Sequence, residues 1–225
     1  MTKLKNVSKL HQSSVVANSL MNRGRGFLGK NSYEKELSFD ISDFLKQKLA
    51  RQKNVRWLDI CCGSGKALIE AAEIFADKNL EIIGIDLVGM FDKIPQNQKN
   101  LQFVETSFED YETSSKFDLI TCVHGLHYIG DKLEFITKSV SWLKTDGIFL
   151  ANLDPANFKS ETGTPLGRKV VKDLRNYGLE YVSKKHLLIC KGNKTINLNF
   201  KYLGANDNAG ANYTKQNVVD SYYLF

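Results

Sequence analysis

Val55-Arg-Trp-Leu-Asp-Ile-Cys-Cys-Gly-Ser-Gly-Lys-Ala-Leu68 is the stretch that decides the fold. It opens as an apolar run of strand type, passes through a turn holding Gly63 and Gly65, and leads directly into a helical pattern. A strand feeding a glycine turn and then a helix is how an α/β sheet builds a site for a nucleotide-like ligand, beyond the carboxyl end of the strand. Glycine lets the backbone come close there, and the helix N-terminus adds unpaired N–H groups. The spacing rules out a dinucleotide fingerprint, because G-x-G-x-x-G would need glycine where Leu68 stands. Instead an acid, Asp59, closes the strand just before the turn, and a carboxylate is a poor neighbour for a pyrophosphate.

Working outward, 225 residues suit one large domain with a substantial core. No apolar run approaches the roughly 18 residues of a membrane helix. Ser13, Ser14, Asn18 and Ser19 interrupt Val15 and Val16, which argues against a secretory signal. Cys61, Cys62, Cys122 and Cys190 make no C-x-x-C pair and no metal-like spacing with histidine. They read as reduced, mostly buried thiols of a cytoplasmic protein with no metal site. The net charge of +6 is uneven: residues 34–158 carry −6, residues 1–33 carry +6 and residues 159–201 carry +7. Basic flanks attract an anionic substrate or a nucleic acid. Their lysines are scattered rather than blocked, which fits a solvated surface better than a nucleic-acid interface.

Around the deciding stretch the chain alternates strand and helix. Strands are expected at Val55–Ile60, Glu81–Asp86, Leu101–Glu105, Phe117–Val123 and Ile148–Leu153, with helices at Lys66–Lys78 and Asp131–Leu143. Continuous apolar strands between helices argue a mostly parallel sheet covered on both faces, a Rossmann-like doubly wound α/β fold. Upstream, residues 1–54 read as a helical segment rather than a separate domain: one amphipathic helix over Val7–Met21, a start at Ser32, and a helix capped by Asp40 or Ser42. Downstream, a helix is expected from about Pro165 to Tyr177, ended by Gly178. Tyr181–Cys190 and Thr195–Tyr202 read as an antiparallel hairpin turning at Gly192-Asn193, and Gly204–Tyr213 as a long loop.

Asp86 ends the second strand, 21 residues after Gly65, where an acid accepts ribose hydroxyls. With it, four ordered motifs span about residues 55–155: L-D-I-C-C-G-S-G, I-I-G-I-D, F-D-L-I-T-C-V-H-G-L-H-Y-I-G-D and W-L-K-T-D-G-I-F-L-A-N-L. Together they resemble the class I S-adenosylmethionine (SAM)-dependent methyltransferases, with Cys61 standing where that family usually has glycine. The resemblance implies a seven-stranded sheet with an antiparallel last strand, SAM as cofactor, S-adenosylhomocysteine (SAH) as product, and an N-terminal segment covering the cofactor bound to residues 55–225. It implies that Asp59, Cys61, Gly63 and Gly65 line the methionine end of SAM, that Asp86 holds the ribose, and that Leu87 packs on the adenine. Ser107 and Phe108 fall where the family often has an acid and a small residue near the adenine amino group. Val123 and His124 fall beside the methionine moiety and the transferring methyl.

The end of the fourth strand reads H-G-L-H-Y, the form seen in small-molecule methyltransferases, and lacks the Asn/Asp-Pro-Pro-aromatic motif of amino-methylating nucleic-acid enzymes. The leading expectation is methyl transfer to an oxygen or nitrogen of a small-molecule or peptide acceptor. An RNA methyltransferase and a non-catalytic SAM-binding protein are the alternatives. His124 and His127 are the candidate catalytic residues, since histidine takes a proton near neutral pH. Selectivity has to come from outside the motifs. Tyr33, residues 155–165 and the tail around Asn212 and Tyr213 are the candidate acceptor walls.

Overall fold

The computed structural model describes residues 3–17, 24–76 and 78–225. The helices are α1 (Val7–His11), α2 (Tyr33–Leu37), α3 (Ile41–Arg51), α4 (Lys66–Ile74), α5 (Lys132–Ser141) and α6 (Gly167–Asn176). The strands are β1 (Val55–Ile60), β2 (Leu80–Asp86), β3 (Leu101–Glu105), β4 (Phe117–Cys122), β5 (Leu143–Asn152), β6 (Phe158–Ser160), β7 (Glu180–Val182), β8 (Leu187–Lys191), β9 (Lys201–Asn206) and β10 (Asp220–Leu224).

Seven strands form the main sheet in the order β3-β2-β1-β4-β5-β8-β7. β1 to β5 run parallel and β8 runs antiparallel to both its neighbours. The strand order reverses between β1 and β4, and a sheet of this kind opens a crevice at that point, outside the carboxyl ends.

Alternation along the strands divides the core. Trp57 and Leu119 face one layer with Leu45 of α3 and Leu68 of α4, whereas Leu58 and Ile120 face the other with Ile136 of α5 and Val170 of α6. Each such burial stabilises by about 1.5–3 kcal/mol, and the two layers clamp the sheet whose carboxyl edge carries the crevice. Helix starts follow side-chain chemistry. Ser32, Asp40 and Asp131 accept the backbone N–H three residues on, at 3.3, 2.7 and 3.0 Å. Gly178, at φ +81°, ends α6 as expected.

Three expectations are corrected. The antiparallel hairpin is β7–β8, turning through Ser183–Lys185 and a left-handed His186, not through Gly192-Asn193. Gly192 and Asn193 instead donate their N–H groups to Gly147 and Lys144, pinning the chain back on β5. Residues 195–200 then form no ladder, although Ile196, Leu198 and Phe200 pack on the core. The segment expected as a loop from Gly204 begins inside β9, which pairs with β10 in a second sheet, β6-β10-β9. The amphipathic helix expected over 7–21 ends at His11, residues 12–17 form turns, and the part beyond residue 17 lies outside the described residues. Among the described residues no helix is long and apolar enough to cross a membrane.

Candidate active site

A cleft of about 970 Å³, partly open to solvent, lies at the carboxyl ends of β1, β2 and β4. Arg25, Tyr33 at the start of α2 and His11 of α1 are among the residues that line it. Of the residues singled out from sequence, Tyr33, Cys61, Gly63, Asp86, Leu87, Ser107, Phe108, Val123 and His124 converge on its walls.

Asp86 is held in place by the chain it serves. Its carboxylate accepts the Gly63 and Val88 N–H groups, each at 3.0 Å, which locks the end of β2 to the turn after β1. Cys61 takes a left-handed φ of +62°. Its hydrogen bond with the Cys122 thiol, together with burial, pushes the Cys61 thiol well above the usual range, so it stays protonated. Ser107 lines the cleft, but its hydroxyl is committed to Asp110, donating to the carboxylate at 2.7 Å and accepting the N–H at 3.1 Å. The polar side chain beside it is Glu109, which lies 3.3 Å from His11 and raises the pKa of that imidazole.

Asp59 and Gly65 stand off the cleft. Asp59 is fully buried behind the wall, accepting Tyr33 Oη at 2.7 Å on one oxygen and the Thr121 hydroxyl on the other. Trp57 Nε1 donates to Thr121 at 2.8 Å and completes the relay. Burial pushes the Asp59 carboxyl up to about 7, against the two hydroxyl bonds that favour its charge. The unfolded value is 3.8, so the folded state holds the extra proton between about pH 4 and pH 7. Stability therefore falls as pH rises through that window. Tyr33→Phe removes one donor from the carboxylate. It is expected to cost about 1–3 kcal/mol when Asp59 is charged and less when it is protonated. Urea denaturation at pH 5 and pH 8 checks this; an equal penalty at both would mean that Asp59 does not titrate in the folded protein.

After β4 the chain forms a single 3₁₀ turn, Gly125–His127, and separates the two candidate histidines. His124 precedes it at φ +59°, an uncommon conformation for a residue with a side chain, and lines the cleft. Its Nε2 lies 2.9 Å from Glu36 Oε2 of α2. That bond with His124 holds the Glu36 carboxyl down to about 2, and Arg25 at 3.4 Å adds to the effect. His127 points away from the cleft. It is buried, its Nε2 meets Tyr213 Oη at 3.1 Å, and burial drives its pKa well below the ordinary value. Tyr213 is likewise off the cleft, because its ring stacks on His186 at 3.7 Å. The tail does reach the cleft, but through Gln216, which accepts the Tyr128 hydroxyl at 2.8 Å. Residues 155–165 contribute nothing to the lining.

Arg25, Tyr128 and Gln216 line the cleft and Glu36 binds His124 beside it, yet no motif in the sequence marks any of the four as a site residue. Glu36 carries a readable signal only as part of a helix start, and its partner lies 88 positions away. Among the described residues no group of three His, Cys, Asp or Glu side chains is placed to hold a metal ion.

Residues 33–184 match the family model described as a methyltransferase domain. Among curated proteins, the ubiquinone biosynthesis O-methyltransferase of Actinobacillus pleuropneumoniae is 26% identical over 117 residues, covering 47% of this chain and 48% of that one. The match thus spans about half the length of the curated relative. Among solved structures, a SAM-bound amino pentose methyltransferase from Micromonospora echinaspora aligns with a TM-score of 0.40 at 18% identity, covering 55% of this chain and 51% of its own. The E. coli protein YjhP aligns with a TM-score of 0.42 at 17% identity, covering 78% and 73%.

Proposed function

This chain belongs to the methyltransferase-domain family, and from that premise we propose that it transfers a methyl group from SAM to an oxygen or nitrogen of a small-molecule or peptide acceptor. The observation that carries the reading is the convergence of Asp86, the Cys61–Gly63 turn and His124 on one cleft at the switch point of the sheet. The residues fit a ribosyl ligand with a cationic end. The cleft carries the carboxylates of Asp86 and Glu109 and apolar walls at Ile60, Ile85 and Phe108. When bound, SAM supplies an electrophilic methyl on a sulfonium.

The chain's own residues then have separable tasks. Asp86, already oriented by Gly63 and Val88, accepts the ribose hydroxyls. Leu87, Val88 and Phe108 give the adenine an apolar seat. Asp59 serves from behind, fastening Tyr33 so that the N-terminal segment covers the cofactor. Tyr33, Arg25, Tyr128 and Gln216 form the acceptor side, with His124 as the base. Holding an acceptor in line supplies much of the acceleration by itself.

Calorimetry with SAM, SAH and NAD tests the cofactor: SAM and SAH are expected to bind and NAD is not. Asp86→Ala is expected to weaken SAM by about 5–150-fold, the equivalent of roughly 1–3 kcal/mol of charge-assisted hydrogen bonding. Unchanged SAM affinity in that variant would remove Asp86 from the site. Labelled SAM offered with panels of phenols, amines and short peptides identifies the acceptor class, and label transfer to none of them in any metabolite extract would leave SAM binding without catalysis.

A further inference from the structure

Building on the SAM reading of the cleft, we propose that Asp207 is a positioning residue that clasps both flanks of α1 and so seats His11 and Val16 in the cleft wall. Asp207 directly follows β9 and is buried. Its Oδ2 accepts from Lys5 Nζ at 2.5 Å and from the Ser13 hydroxyl. Lys5 precedes α1 and Ser13 follows it, so one carboxylate holds the helix from both sides. A helix of five residues does not stand by itself, and its place has to come from such contacts.

The backbone is joined to the same strand. β9 is an edge of the second sheet, and an edge strand leaves N–H and C=O groups to be paired. Lys5 takes up part of that edge: its N–H donates to the Ala205 carbonyl at 2.8 Å, and the Ala205 N–H donates to the Lys5 carbonyl at 3.0 Å. Gly204, at φ +138°, permits the approach, since a Cβ there would lie 2.9 Å from Leu4 Cβ and 3.0 Å from the Lys5 carbonyl oxygen. Leu10 is buried with Ala205 and Val219, which fixes the inner face of α1. His11, next along, then reaches the cleft with Nε2 3.3 Å from Glu109 Oε2. Val16 reaches it from the turn after α1, where its N–H donates to the Ser13 carbonyl at 3.1 Å. Glu109 is the neighbour of Phe108, which the SAM reading places at the adenine.

The clasp lies outside the part of the chain shared with the family. Residues 33–184 match the methyltransferase-domain model, and α1, β9 and Asp207 all fall beyond them. It also gives the second sheet a task. None of its three strands lines the cleft, yet the sheet fixes a segment that does.

Calorimetry with SAM, urea denaturation and NMR titration of ¹⁵N-labelled histidine test this on the full chain and on Asp207→Ala, with the His11 signals assigned by their loss in His11→Gln. In the wild type His11 is expected to titrate above the ordinary 6.5, because it is hydrogen-bonded to Glu109. In Asp207→Ala it is expected to return toward 6.5, and SAM affinity to fall by about fivefold or more. Lys5→Met cuts one arm of the clasp and is expected to move both readouts the same way by less; it carries the test if Asp207→Ala does not fold. A loss of stability with SAM affinity and His11 titration unchanged would make Asp207 merely structural and overturns the proposal. A fall in SAM affinity with His11 unchanged also overturns it, because the loss would not run through α1. A wild-type His11 titrating at or below 6.5 overturns it with no variant needed. No SAM binding by the wild type overturns the SAM reading and this inference with it, whereas SAM binding that survives Asp207→Ala unchanged overturns this inference alone.

Discussion

His124→Ala is expected to lower methyl transfer to a hydroxyl acceptor by about a hundredfold or more, the range of a removed general base, while leaving SAM affinity nearly unchanged. His124 is the histidine on the cleft wall, and its ring is held by Glu36. A hundredfold loss is about 2.7 kcal/mol of transition-state stabilisation. The alternative to a base is positioning alone, which suffices for an amine that arrives unprotonated. The two are separated by running labelled SAM against phenols and amines in parallel. A base predicts a large loss on phenols and a small one on amines. His127→Ala is the control, since that ring lies behind the wall and its neutral form is favoured by burial. It is expected to reduce stability through the lost Tyr213 bond and to leave the chemistry nearly intact. A His124→Ala protein that still methylates phenols at the wild-type rate would assign His124 to loop structure and leave proximity as the source of catalysis.

The parts of the fold that were legible share a physical basis. β1, β3 and the starts of α2 and α3 were readable because apolar runs and capping side chains act within a few residues. The turn after β1 was readable because glycine at positive φ is a local requirement. The second sheet was not, because β6, β9 and β10 are short and their pairing joins residues 14 to 63 positions apart, which no periodicity records. Gly192 illustrates the other failure. Glycine followed by asparagine is a turn signal in isolation, and the chain does turn there, but onto Gly147 and Lys144 rather than onto the next strand. Within the candidate site the same division holds. Asp86 and the Cys61–Gly63 turn were found by spacing. Arg25 and Gln216 were not, because they come from the flanking segments and meet the cleft only after folding, and Glu36 is tied to it only through His124. Asp59 was found by spacing as well, yet it stands behind the wall, where both its oxygens are taken by Tyr33 and Thr121. A motif marks which residue matters at that point of the strand, and the contact partners decide what it does.

Gly65→Ala is expected to destabilise the protein by about 3 kcal/mol or more, from two independent costs. The first is conformational. Gly65 precedes α4 at φ +77° and ψ 8°, the left-handed region. An L residue is disfavoured there by roughly 1–2 kcal/mol. The second is steric. A Cβ built on Gly65 would lie 2.1 Å from Phe103 Cζ and 2.4 Å from its Cε1. Phe103 has little freedom to retreat, because its ring is stacked on Phe91 at 4.8 Å with an interplanar angle of 11°. Forcing even a methyl into such a contact typically costs a further 1–3 kcal/mol. Gly210→Ala isolates the first cost, since Gly210 has a similar φ of +83° and nothing within 4 Å of the built Cβ. Urea denaturation of both variants is expected to show Gly65→Ala losing at least about twice as much stability as Gly210→Ala. Adding Phe103→Leu to Gly65→Ala is expected to return part of the steric cost and none of the conformational one. If Gly65→Ala and Gly210→Ala lost the same amount, Phe103 would be yielding freely. The glycine would then be required by the backbone of the turn alone, and not by the approach of β3 to the start of α4.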